Sequence, residues 1–205
     1  MALLTADRRV LHADLQGDRI RAASGSMVAV EGTVEFRSSG MGGGGGMRAA
    51  LKRAVAGESL SLMDCTGHGR VYLALDAMDV RVVDLAGDTL TVESEHILAH
   101  TDQLRLDVQF AGLRGMTSGQ GLATTTVTGH GQVAIVSQGP VMALEVRPGM
   151  DLVVDPDAYV GSRGQLSMNL VSGVSWKSLV GEGTGEPFSL RFTGHGLVLV
   201  QSSER

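Results

Sequence analysis

The sequence predicts an all-β protein made of three homologous strand-rich repeats in one compact unit of 205 residues. Three observations carry the prediction. The tetrapeptide Thr-Gly-His-Gly occurs three times, at Thr66–Gly69, Thr128–Gly131 and Thr193–Gly196. Many short stretches alternate apolar and polar residues, the period of a strand with one buried face. The chain holds 29 glycines and 4 prolines with only 3% aromatic residues. Such a composition favours many turns over long helices, and a core of Val, Leu, Met and Ala.

Repeats are sought first because they set the architecture. "GDRIRA" from Gly17, "GDTLTV" from Gly87 and "GMDLVV" from Gly149 each read as a turn entering a strand. Ile20, Leu90 and Leu152 then fall in register. So do Met27, Ile97 and Tyr159, and further on Val34, Leu104 and Leu166. The same spacing makes Cys65, Val127 and Phe192 counterparts, the residues just before each tetrapeptide. The units run about 10–73, 80–136 and 142–201 within a single domain spanning 1–205. The first unit is longer by a glycine-rich insertion at 40–46, "GMGGGGG".

The elements follow in order within each unit. "RIRAA", "TLTVE" and "DLVVD" are apolar or alternating over a few residues and read as strands. "QLRLDV" and "QLSMNL" alternate cleanly. The stretches after the tetrapeptide, "RVYLAL", "QVAIVS" and "LVLVQS", are strands again. One short helix is expected near 47–55, "MRAALKRAV". There Met47, Leu51, Ala54 and Val55 form one face, and Arg48, Lys52 and Arg53 another.

The tetrapeptide itself has two readings. Glycines flanking a polar residue suit a tight hairpin, where a positive φ is needed and glycine supplies it. Alternatively, three units around a pseudo-threefold axis would make His68, His130 and His195 equivalent. Three imidazoles pointing inward would then hold a Zn²⁺-like ion with an open fourth position. The other histidines, His12, His96 and His100, do not repeat. Cys65 precedes His68 by three residues, but its counterparts are core-type residues, so it reads as a small buried thiol. Asp18 and Asp88 follow a turn glycine and their counterpart is Met150, which fits turn chemistry and not a required carboxylate.

Other chemistry is sparse. The sequence shows no nucleophile elbow, no phosphate-binding glycine loop followed by Lys and Ser or Thr, and no paired-cysteine motif. No catalytic set and no cofactor are expected. A net charge of −5 with only two lysines argues against nucleic acid or an anionic membrane surface. The densest basic cluster is Arg8, Arg9, Arg19 and Arg21. A lone cysteine suits a reducing compartment. The N-terminus carries no signal-peptide pattern, and no apolar run is long enough to span a membrane. The expected location is cytoplasmic.

Several segments together resemble a known family. They are "SMVAVEG" near Ser26–Gly32, "GESLSL" at Gly57–Leu62, "LTVESEHILAH" at Leu90–His100, "GQGLATTTVTGHGQVAIVSQG" at Gly119–Gly139, "LVVDPDAYV" at Leu152–Val160 and the ending "GHGLVLVQSS". Their pattern resembles the altered-inheritance-of-mitochondria 24 group, formerly a bacterial domain of unknown function. The resemblance implies an all-β fold of the double-stranded β-helix type, similar to the tryptophan RNA-binding attenuation protein. It implies no catalytic residues. RNA binding does not follow from fold similarity, and the shortage of lysines and aromatics argues against it. The functional expectation is a non-enzymatic binding or scaffold protein acting through its β surface. A homo-oligomer and an unknown protein partner are expected, since open sheet edges must be paired or covered. The competing expectation is a small-molecule or metal-binding protein using the three histidines.

Overall fold

The computed structural model describes residues 2–38, 60–110, 123–172 and 188–202. The glycine-rich insertion and the expected helix at 47–55 lie outside the described residues. The described chain is nearly all strand, as expected: twelve antiparallel-paired strands and two short 3₁₀ turns. Contacts divide it into two compact units, each with its own core.

The first unit covers the described residues of Met1–Gln109 and Ala123–Ser137. Its strands are β1 (Leu3–Asp7), β2 (Val10–Ala23), β3 (Met27–Ser38), β4 (Leu62–Leu73), β5 (Asp79–Glu93), β6 (Ile97–Thr101), β7 (Leu104–Phe110) and β8 (Ala123–Ser137). Spatial order runs β5-β8-β6-β2-β4-β3, with β1 on β2 and β7 on β8. Alternation decides which way each residue faces. On β4, Cys65, Val71 and Leu73 point into the core, while Thr66 and His68 are exposed. Leu11, Ala13, Leu15 and Ile20 of β2 meet them from the neighbouring strand.

The second unit covers the described residues from Gln138 onward. β12 (Phe188–Gln201) is its centre, paired with β9 (Val141–Val146), β10 (Leu152–Val154) and β11 (Tyr159–Ser172). Tyr159 and Phe192 stack at 5.4 Å inside its core, with Val146, Leu190, Val198 and Val200 around them.

The glycines expected to open turns divide into two kinds. Gly17 and Gly87 sit at mid-strand bulges, where the β2–β4 register shifts between Gln16 and Arg19 and the β5–β8 register between Ala86 and Thr89. Both have positive φ, +84° and +95°. A bulge inserts an unpaired residue, and glycine tolerates the left-handed backbone there. The aspartate that follows clamps each bulge. Asp18 accepts a hydrogen bond from the Gln16 N–H (3.3 Å) and Asp88 from the Ala86 N–H (3.0 Å). At Gly149 the strand is cut into β9 and β10 by a true turn, closed by the Met150 N–H donating to the Arg147 carbonyl at 2.9 Å. Met150 stands after Gly149 where Asp18 and Asp88 follow the other two glycines.

The tetrapeptides are not hairpin turns. Each lies inside a long continuous strand, β4, β8 or β12. Their glycines answer a different need, the close passage of the next strand. A Cβ on Gly67 would collide with the Thr33 carbonyl, one on Gly69 with the Glu31 carbonyl, and one on Gly194 with the Gln165 carbonyl. Facing glycines complete two of these crossings: Gly32 opposite Gly69, and Gly164 opposite Gly196. At the third, a Cβ on Gly131 would collide with the Thr101 hydroxyl, and the chain there breaks between β6 and β7.

Three core pairings then coincide with the spacing in the sequence: Ile20 with Cys65, Leu90 with Val127, and Leu152 with Phe192. The Cys65, Val127 and Phe192 side chains are fully buried. Burial pushes the Cys65 thiol up to about 11, with Asp64 adding to the effect. Since the thiolate is the reactive form, Cys65 in the native protein is expected to resist iodoacetamide at pH 8 and to label fully in 6 M guanidinium. Rapid native labelling would contradict this packing.

Candidate functional site

The outward side of β2, β4 and β3 gathers the densest polar chemistry of the first unit. Pairing places His12 beside Tyr72, Asp14 beside Arg70, Gln16 beside His68, and Arg21 beside Asp64. On the other flank of β4, Glu31 lies beside Arg70, Thr33 beside His68, Glu35 beside Thr66 and Arg37 beside Asp64. The period of two along β4 puts its partners on one face, and the bulge between Gln16 and Arg19 shifts β2 by one residue so that Arg21 joins His12, Asp14 and Gln16 there.

Most charges on this face are mated. Arg70 holds Asp14 through two hydrogen bonds, 2.6 and 3.1 Å, the fork geometry that suits a guanidinium and a carboxylate. The Asp14 bond, then one to Tyr72, raises the Arg70 guanidinium above its ordinary value. Arg19 binds Asp102 at 2.6 Å and Arg21 binds Asp64 at 3.1 Å. Arg8 and Arg9 both approach Asp79. The four arginines noted in the sequence are therefore met by three aspartates, with Arg8 and Arg9 sharing Asp79. These partners lie 43 to 83 residues apart, and no local pattern announces them.

The three tetrapeptide histidines are all exposed. His68 and His130 belong to the first unit and each imidazole covers a bulge glycine. A Cβ on Gly17 would stand 3.2 Å from His68 Nε2, and one on Gly87 would stand 3.1 Å from His130 Cε1. His195 belongs to the second unit, near Glu145. The Glu145 carboxyl is held below its usual range by a hydrogen bond from Arg147, with His195 a lesser contributor. Among the described residues no group of three or more His, Cys, Asp or Glu is placed to hold a metal ion.

Two histidines without counterparts are buried instead. His96 Nδ1 lies 2.7 Å from the Val136 carbonyl. His100 is 1% exposed, with Nδ1 2.9 Å from the Thr101 carbonyl. A carbonyl only accepts, so Nδ1 carries the hydrogen and Nε2 presents a lone pair. That Nε2 is buried and has no hydrogen-bond partner among the described residues.

Burial lowers the His100 pKa, and Arg21 adds to the lowering. The Thr101 bond, Asp102 and Asp64 act in the opposite sense and are outweighed. The unfolded chain thus takes up the proton first as pH falls. Stability from this site is intact above about 6.5, the ordinary histidine value, and is lost as pH drops from there through the folded value. The urea midpoint of the wild type is expected to fall between pH 8 and 5 more steeply than that of His100→Gln. Parallel curves would contradict the assignment.

Among the described residues no helix is long and apolar enough to cross a membrane. The chain matches the family model described as Mitochondrial biogenesis AIM24 over residues 1–203. A comparison with curated proteins finds no match. Among solved structures, protein SPYM3_0169 from Streptococcus pyogenes is similar with a TM-score of 0.76 at 20% identity, over 100% of this chain and 94% of that one. At this identity the likeness speaks for the fold alone.

Proposed function

Because the chain belongs to the Mitochondrial biogenesis AIM24 family, we propose on its geometry that it is a non-enzymatic binding and scaffold protein. It works through its strand surface as a homo-oligomer. One observation carries the reading. The polar face of β2, β4 and β3 is an array of mated charges that ends in a twelve-residue strand, β3, exposed along almost its whole length. Met27, Val28 and Val30 on that strand are 41 to 58% exposed. A long strand at the end of a sheet offers a row of backbone donors and acceptors to another chain.

The same reading takes the chain as one all-β domain of three related units of the attenuation-protein type. The bulge glycines Gly17 and Gly87, the turn glycine Gly149 and the three matched core pairings support it. Arginines already held by aspartates favour protein over nucleic acid, since phosphate binding needs uncommitted cations.

The test is a pull-down with the full chain beside a zinc titration of the wild type and the His68→Ala, His130→Ala and His195→Ala triple variant. Self-association with no zinc bound supports the scaffold reading. Stoichiometric zinc that the triple variant loses would replace it with the metal-binding one.

A further inference from the structure

We infer that β3 of one copy pairs antiparallel with β3 of a second copy about a twofold axis at Val34, so that the two first units share one sheet. The inference rests on the homo-oligomer reading and names its surface. β3 stands at the end of the spatial order and, among the described residues, pairs with β4 alone. Natural edges are usually blunted by proline, lysine or a short strand. β3 is twelve residues long and holds neither proline nor lysine; its bulge between Met27 and Ala29 lies outside the stretch that would pair, and its charges set the register.

The charges select the register. Side-chain direction alternates along a strand, so two copies that continue one sheet must slip in steps that keep outer residues against outer residues. Glu31, Thr33, Glu35 and Arg37 lie on the outer face, beside Arg70, His68, Thr66 and Asp64 of β4. With Val34 opposite itself, Glu31 of each copy faces Arg37 of the other, and Thr33 faces Glu35. Opposite charges across strands attract and like charges repel. Shifting one step in one direction sets Glu31 against Glu35 twice. One step the other way sets Glu35 against itself. Both neighbouring registers are therefore opposed.

On the inner face the same register brings Val34 against Val34 and Phe36 against Gly32. An aromatic ring over a bare glycine fills the gap that the missing side chain leaves. Val34 and Phe36 already pack on the core of the first unit, so their arrangement does not have to be created on association. Arg37 is 79% exposed where it meets Glu35 at 2.9 Å, which leaves its guanidinium accessible to Glu31 of the second copy.

Sedimentation velocity and native mass of the full chain test the pairing with a charge swap. The wild type is expected to be a dimer or an even multiple. Glu31→Arg and Arg37→Glu should each weaken association by about tenfold or more, by turning two attractions into two repulsions. The double variant should restore it to within about threefold. Both positions are exposed, and unchanged circular dichroism confirms that folding is intact. Association untouched by either single swap would overturn the β3 pairing and leave the scaffold reading standing. A strictly monomeric wild type would remove the reading on which the pairing rests.

Discussion

Gly69→Ala is expected to destabilise the protein by about 3–5 kcal/mol, and the reason lies on the neighbouring strand. Gly69 has φ +150°, and its added Cβ would collide with the Glu31 carbonyl and stand 3.1 Å from the Gly32 Cα. These are backbone atoms, so no side chain can swing aside. Strain of about 1–3 kcal/mol for the dihedral and a similar amount for overpacking combine. The β3–β4 ladder must give way on one side or the other. Gly149→Ala is the control. Its φ is +81°, yet nothing lies within 4 Å of the new Cβ. There only the dihedral term operates, about 1 kcal/mol. Urea unfolding of both variants checks the difference. Equal losses would show that φ, and not strand crossing, requires the tetrapeptide glycines.

The second large effect is expected at Phe192. It is fully buried, stacked on Tyr159 at an interplanar angle of 27°, and paired with Leu152. The whole chain has only four phenylalanines and one tryptophan. This ring therefore fills volume that no neighbour can supply. Phe192→Ala should cost about 3–5 kcal/mol through lost transfer energy and a residual cavity. Phe192→Leu keeps most of the volume and should cost about 1–2 kcal/mol. Near-UV circular dichroism should lose intensity in the alanine variant, because the stacked pair is rigid and chiral. A loss below 1 kcal/mol for the alanine variant would mean the second core is loosely packed.

Much of this was legible in the sequence. Alternating stretches such as "QLSMNL" became strand β11, and "RIRAA" became part of β2. Equal spacing alone made Cys65, Val127 and Phe192 counterparts, and all three prove buried opposite the counterparts Ile20, Leu90 and Leu152. Asp18 and Asp88 fit turn chemistry in the sequence; the structure puts them at mid-strand bulges, where each bonds the N–H two residues earlier. The tetrapeptide was not legible. Glycine is usually punctuation, and a hairpin is the commonest reason for two glycines around one polar residue. Here Gly67 and Gly69 make room for Thr33 and Glu31 more than thirty residues away. Only the tertiary crossing reveals that need. The mated charges were hidden for the same reason. Arg70 and Asp14 are 56 residues apart, and neither lies in a motif. His96 and His100 do not repeat, and nothing in their spacing shows that both are buried. The two rings bond different carbonyls and serve the core separately.

The same alternation that half-buries Val34 and Phe36 against the first core leaves Glu31, Thr33, Glu35 and Arg37 outside. The result is a strand whose inner side is partly committed, at Val34 and Phe36, and whose outer edge pairs with no described strand. A scaffold that acts through strand pairing needs this combination, with a rigid core behind a competent edge.

Native mass spectrometry of the untagged full chain is the decisive measurement, because it reads subunit number and bound mass together. A homo-oligomer whose mass is that of the polypeptides alone is expected. A monomer that retains a metal ion or a small molecule would contradict it and move attention to His68, His130 and His195.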